Sequence, residues 1–294
     1  MIWFGEKSGY LSDWVTQQWV RATGRRIRLA DHRWLDGPTG NTRIIGKDFF
    51  QEYAEKHGLE IVEGRSCGLV EDFSGLAGGL FDPGRVAPIV QDFYERTSAY
   101  DLDNWSEWHG FFKPFGLALA MIFSRRLQQL NIPLSPMDSS RGMSSRVLQM
   151  RDRQTGRLAQ TAWVRELHAT NHVIYAGSYS VCNIPGHPSP CVKVVFPLPN
   201  GNAIVLMKPA SHTDGSFSLT SAGNGFGDPG FYFTVHGKDG TLWARYVKAM
   251  QEKITVYSAE QDTARADHVL WFFRKQFFRL HYRMRRVVEP VPAR

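Results

Sequence analysis

The sequence predicts an α+β fold: N-terminal helices packed on a long antiparallel β-meander that forms a curled sheet or barrel. Three observations carry this expectation. Helical spacing of apolar residues is confined to the chain ahead of Asn131. From Met143 onward, runs rich in β-branched and aromatic residues recur at intervals of roughly 8 to 12 residues, as in meandering sheets. Between the runs stand turn signals, Arg153-Gln-Thr-Gly156, Pro199-Asn200-Gly201, Asp214-Gly215 and Lys238-Asp239-Gly240, which favour hairpins. The expected organisation is a helical and irregular region over 1–81, a helix pair with the sheet or barrel over 82–286, and a tail over 287–294.

The first helix is expected from about Gly9 to Thr23. Leu11, Trp14, Val15, Gln18 and Trp19 share one face, Ser8 can cap the start, and Gly24 stands where a left-handed residue ends a helix. The basic run Gly24-Arg-Arg-Ile-Arg28 suits the negative end of that helix, and an anion or membrane-surface contact is its functional alternative. Asp36 to Thr42 has turn chemistry, and Asp48 to His57 reads as a short helix closed by Gly58. Gly40 to Lys47 is no phosphate loop, because five residues separate its glycines and Asp48 replaces the magnesium-binding hydroxyl. Leu59 to Glu63 suits a strand. Gly64-Arg-Ser66-Cys-Gly68 has the spacing of a nucleophile elbow without its strand-to-helix context, so Ser66 reads as a turn residue.

Asp82 and Pro83 open the best-marked helix, with Val86, Ile89, Val90, Phe93 and Tyr94 on one face and an end near Ser98. Asp101 to His109 is read as a polar and aromatic bridge to a second helix from Phe115 to Leu130, stopped by Pro133 and Pro136. The strands then follow: Met143 to Met150, Leu158 to His168, Val173 to Cys182, Cys191 to Pro197, Ala203 to Lys208, Ser216 to Thr220, Gly230 to His236, Leu242 to Met250, Lys253 to Tyr257, His268 to Phe273 and Phe278 to Arg285.

Composition excludes some classes. With 43% hydrophobic and 21% charged residues, 9 Trp and 19 Phe, the chain is neither disordered nor low in complexity. Its net charge of +7 permits nucleic acid, anionic lipid or an acidic partner, but the charge is scattered and singles out none. Three cysteines make no disulfide framework, although Cys182 and Cys191 can meet across a hairpin. With His187 between them they lack the spacing of a zinc site. No secretory leader and no apolar run of the ~20 residues that a membrane helix needs is visible, so a cytoplasmic location is expected.

Asp101, Asp103, Glu107 and His109 crowd into nine residues with Trp105 and Trp108. Carboxylates and an imidazole beside indoles suit acid/base catalysis, since apolar walls raise a carboxyl pKa towards the working range. These four are the expected catalytic set; the simpler reading has them bracing a loop. Arg141 suits a carboxylate or phosphate, and His187 is presented by a proline-rich loop. His168 and His172 flank a turn and make no helical metal face. With Trp105, Trp108, Arg141 and His187, the strand aromatics Tyr179, Phe196, Phe231 and Tyr246 complete the expected ligand-binding set. Neither metal nor cofactor is expected.

The functional expectation is a cavity for an apolar small molecule of the lipid, terpenoid or polyketide class, with acid/base isomerisation, cyclisation or hydration as its chemistry. A non-catalytic carrier or sensor is the alternative. So is a peripheral module touching an anionic membrane surface or a protein through Arg25, Arg26, Arg28 and the arginines at 279, 283, 285 and 286. Nucleic acid is disfavoured as a partner, and the oligomeric state is left open.

Overall fold

The computed structural model describes residues 11–40, 45–79, 81–108, 143–167, 173–237 and 240–287. Within them lie helices α1 (Leu11–Thr23), α2 (Phe49–Lys56) and α3 (Pro88–Glu95). The strands are β1 (Arg25–Ile27), β2 (Leu59–Val62), β3 (Tyr100–Trp108), β4 (Met143–Asp152), β5 (Leu158–Leu167), β6 (Val173–Cys182), β7 (Cys191–Leu198), β8 (Gly201–Ser211), β9 (Phe217–Ser221), β10 (Gly230–His236), β11 (Leu242–Tyr246), β12 (Met250–Glu260), β13 (Thr263–Phe272) and β14 (Lys275–Arg286). The fold is α+β, three helices with one large antiparallel meander.

The main path of the sheet runs β2-β4-β5-β6-β7-β8-β9-β12-β13-β14-β3. Strand β8 is its fork: residues 201–206 pair with β10, and 208–211 pair with β9. From β10 a branch continues through β11 to β1. The sheet curls strongly. Arg165 on β5 lies 5.4 Å from the ring centre of Tyr282 on β14, although β6, β7, β8, β9, β12 and β13 separate those strands along the path. It does not close into a barrel, since among the described residues no ladder joins β3 to β4.

Alternation along each strand assigns the two faces. The concave face buries Trp163, Tyr179, Val194, Val205, Phe217 and Val256 in one cluster with Phe73, Leu76, Val90, Phe93 and Tyr94, so α3 and the turns before it fill one part of the hollow. On the convex side, Phe49, Phe50 and Ala54 of α2 cover Leu148, Met150, Ala162 and Val164. Trp34 and Leu35 cover Ile204, Leu206 and Tyr232. The convex face of β13, β14 and β3 is polar.

Several expectations are corrected here. In α1, Val15 and Trp19 are 53% and 39% exposed, while Asp13, Gln17 and Val20 are buried. This helix packs on β10, β11 and the β7–β8 turn, where Arg21 donates to His236 O at 3.3 Å and Gln17 to Pro199 O at 3.1 Å; exposed backbone carbonyls select a polar contact face. Gly24 takes no left-handed conformation. A Cβ there would stand 2.5 Å from Val20 O and 2.8 Å from Ala244 O, so close approach of β11 is what requires glycine. The basic run after it is strand β1, paired with β11.

Asp82 opens a single 3₁₀ turn, its Oδ1 accepting from Gly84 N at 3.0 Å, and the α-helix begins only at Pro88. Pro88 excludes helical geometry from Ala87, which sits at φ −56°, ψ 136°. The bridge from Asp101 is likewise an edge strand, β3, in which Tyr100, Leu102 and Trp108 alternate with Asp101, Asp103, Trp105 and Glu107. The run from Leu242 to Met250 divides between β11 and β12, and β13 starts at Thr263, ahead of His268. The expected helix from Phe115 to Leu130, with His109, Arg141, His168 and His172, lies outside the described residues.

Candidate functional site

The concave half of β5 and β6 carries the most unusual chemistry. On β5, Ala162 and Val164 bury on the convex side against α2, so Thr161, Trp163 and Arg165 point into the hollow. The register sets Arg165 opposite Tyr175 and Thr161 opposite Tyr179 on β6. The Arg165 guanidinium lies 4.3 Å from the centre of the Trp163 ring system, 4.6 Å from that of Tyr175 and 5.4 Å from that of Tyr282. Trp163 is held by its Nε1, which donates to Ser145 Oγ at 2.8 Å. Phe196 packs against Tyr175 with ring centres 5.5 Å apart.

Arg165 is only 5% exposed, and among the described residues its Nε and Nη1 have no hydrogen-bond acceptor. Three aromatic faces offset part of the cost of burying the charge, at about 0.5–2 kcal/mol each. They accept no in-plane N–H bonds, and each orphaned donor costs about 1–3 kcal/mol. The tyrosines supply no counter-charge. Burial pushes both Tyr175 and Tyr179 up from the ordinary phenol value, so near neutral pH both keep their protons, with the two hydroxyl oxygens 2.5 Å apart. The site therefore holds a buried cation in an aromatic box with unsatisfied donors.

A second polar pair shares this face. Glu252 on β12 and His268 on β13 meet at 2.9 Å with side chains 9% and 17% exposed. Ile254 lies opposite His268, and Ala266 lies two residues further along the same face.

The expected site residues divide between faces. Tyr179, Phe196, Phe231 and Trp108 belong to the concave side; the Trp108 ring lies tilted against that of Phe278, with centres 4.5 Å apart. Asp101, Asp103 and Glu107 are exposed on the convex side in a cross-strand charge ladder: Arg283 holds Asp103 at 2.5 Å, Arg279 holds Asp267 at 3.1 Å, and His281 bridges Asp267 at 2.5 Å and Glu107 at 3.6 Å. Trp105 stacks on His281 at 5.1 Å. Because these residues face away from the aromatic hollow, one site cannot use both sets. Tyr246 packs on Tyr232 under the convex cover, and His187 braces a loop, its Nε2 3.1 Å from Gly227 O and 3.4 Å from Asp228. Cys182 and Cys191 are register partners with free thiols, both made less acidic by burial. Among the described residues, no group of three His, Cys, Asp or Glu side chains could hold a metal ion.

Sequence reading did not single out Arg165, Tyr282, Glu252 or His268, and left Tyr175 among strand aromatics that fill core or line a pocket. One signal could have found Arg165: Thr161, Trp163 and Arg165 alternate with Ala162 and Val164, which places a charge on an inward face of a strand apolar on both sides.

Fold and site together define an α+β protein with an open, curled antiparallel sheet and an aromatic concave face around a buried arginine. No protein-family model and no solved structure matches the chain. It is similar to the uncharacterized membrane protein YndJ of Bacillus subtilis (strain 168), with 26% identity over 251 residues, covering 85% of this chain and 43% of that protein. The chain thus spans less than half the length of that relative. Among the described residues, no helix is long and apolar enough to cross a membrane.

Proposed function

We propose that the concave face binds an apolar small molecule of the lipid class, as a carrier or sensor. The aromatic wall formed by Trp163, Tyr175, Tyr179, Phe196 and Tyr282, continuous across the curl of the sheet, is the observation that carries this reading. The membrane context named for the relative is compatible with a lipid ligand. Acid/base turnover of such a ligand would fall to Glu252 and His268, the carboxylate and imidazole on the ligand's side of the sheet. The test is native mass spectrometry of the purified chain with organic extraction of bound material, followed by titration with dodecanol monitored by tryptophan fluorescence. A co-purifying apolar molecule or saturable quenching is expected. A clean mass with no saturable response would overturn the reading.

A specific observation favours a second reading, contact with an anionic membrane surface. Phe273 at the β13–β14 tip is 70% exposed, and Arg274 and Lys275 follow it. Phe273 and Arg274 take φ 48° and 65°, a conformation that asparagine and glycine adopt more cheaply, so the tip keeps an aromatic and a cation at a local cost. An aromatic tip flanked by cations suits the headgroup boundary. Cosedimentation with vesicles rich in phosphatidylserine, reduced in Phe273→Ser and by added salt, is the expected result. Binding unchanged by either would remove the hairpin from the contact.

A further inference from the structure

Two nitrogens of the Arg165 guanidinium, enclosed by three aromatic rings, are left without acceptors among the described residues, on the face that the proposed ligand would occupy. The Tyr175 and Tyr179 hydroxyls beside it are spent on each other. Glu252, the carboxylate described on the concave face, is hydrogen-bonded to His268. We infer that Arg165 is the receptor for an anionic oxygen group, a carboxylate or phosphate, at the polar end of an amphiphile whose tail lies along the aromatic wall.

This rests on the binding reading above and adds the ligand's charge to it. Rings over the guanidinium spread its charge while leaving its edge free to donate, which is the geometry an oxyanion requires. A neutral alcohol or sterol would leave a buried charge and two N–H groups unanswered. An acid answers all three. The same chemistry comes from a fatty acid, a lipid phosphate or a free oxyanion, and the tail separates the last from the first two.

The test titrates the full chain with dodecanoate, dodecyl phosphate, dodecanol and inorganic phosphate, for the wild type and for Arg165→Met, with melting temperature as the folding control. Charge-assisted hydrogen bonds of this kind predict that an acid binds the wild type at least about tenfold more tightly than dodecanol. Arg165→Met should erase that difference, with acid and alcohol binding the variant within about twofold of each other. Equal wild-type affinities for acid and alcohol would overturn the anion site and leave the apolar-binding reading standing. So would an acid preference that survives in Arg165→Met. Saturable binding of inorganic phosphate, with no gain from a tail, would overturn the amphiphile and with it the apolar-binding reading. If none of the four probes binds, both fail. Should Arg165→Met not fold, the wild-type comparison of acid with alcohol decides alone.

Discussion

Two arginines on opposite faces of the sheet show how position sets the worth of one side chain. Arg283 meets Asp103 on the open convex face, where water and salt screen the pair. Asp103→Asn should therefore change stability by less than about 1 kcal/mol in urea unfolding and leave dodecanol binding unaltered. A loss of binding in that variant would return the convex carboxylates to the site. Arg165 has no such screening, and its buried charge with two donors unanswered among the described residues makes it a poor stabiliser. At the other extreme, Phe73 is fully buried among Phe81, Tyr94 and Phe217, with its ring 5.0 Å from that of Phe217. Phe73→Ala should cost about 3–5 kcal/mol by the same measurement, the range for emptying an aromatic site in a packed core.

Among the elements, α1 and the β13–β14 hairpin depart furthest from local rules. Apolar spacing marks Val15 and Trp19, yet α1 turns Asp13, Gln17 and Val20 inward because the strand end and turn that it meets present carbonyls, His236 O and Pro199 O, to satisfy. The hairpin tip keeps Phe273 and Arg274 at positive φ, where Asn-Gly is preferred. Replacing the pair by Asn-Gly should raise stability by about 1–2 kcal/mol, seen as a higher melting temperature, and weaken vesicle binding in the same protein. A stabilised variant with full vesicle binding would separate the turn's strain from any membrane role. Strand β3 is where sequence reading erred most, since three carboxylates in nine residues look like loop or site until the alternating Leu102 and Trp108 are paired with Met284 and Phe278 of β14.

For the molecule as a whole, curling the sheet onto α3 buries phenols on the concave side, while Trp34 and Leu35 cover a thiol, Cys191, on the convex side. Burial raises Tyr94, Tyr175 and Tyr179 above the ordinary phenol value, and pushes the Cys191 thiol up to about 12. A raised folded-state pKa means that the protonated form is the stabilised one. These contributions are complete at neutral pH. The thiol's is lost progressively above its ordinary value of about 8.5 and the phenols' above about 10. Melting temperature should hold from pH 7 to 8 and fall steeply beyond about pH 10, with tyrosinate absorbance from the buried rings appearing only as the fold is lost. Titration of every tyrosine near pH 10 in the folded protein would contradict this burial.

The sequence by itself determined the fold class and nearly all of the meander, because period-two alternation and glycine or asparagine turns are local properties of the chain. Gly156, Asn200, Gly215 and Gly240 all take positive φ in or beside their turns. Tertiary structure alone decided that β8 forks, that the sheet stays open, and that β5 and β14 face each other across the hollow. It also decided the site. Arg165, Tyr282, Glu252 and His268 carry no motif; they share the concave face, with Arg165 against Tyr282, only because a twisted sheet curls until its distant strands meet, and curvature is a sum over all the strands.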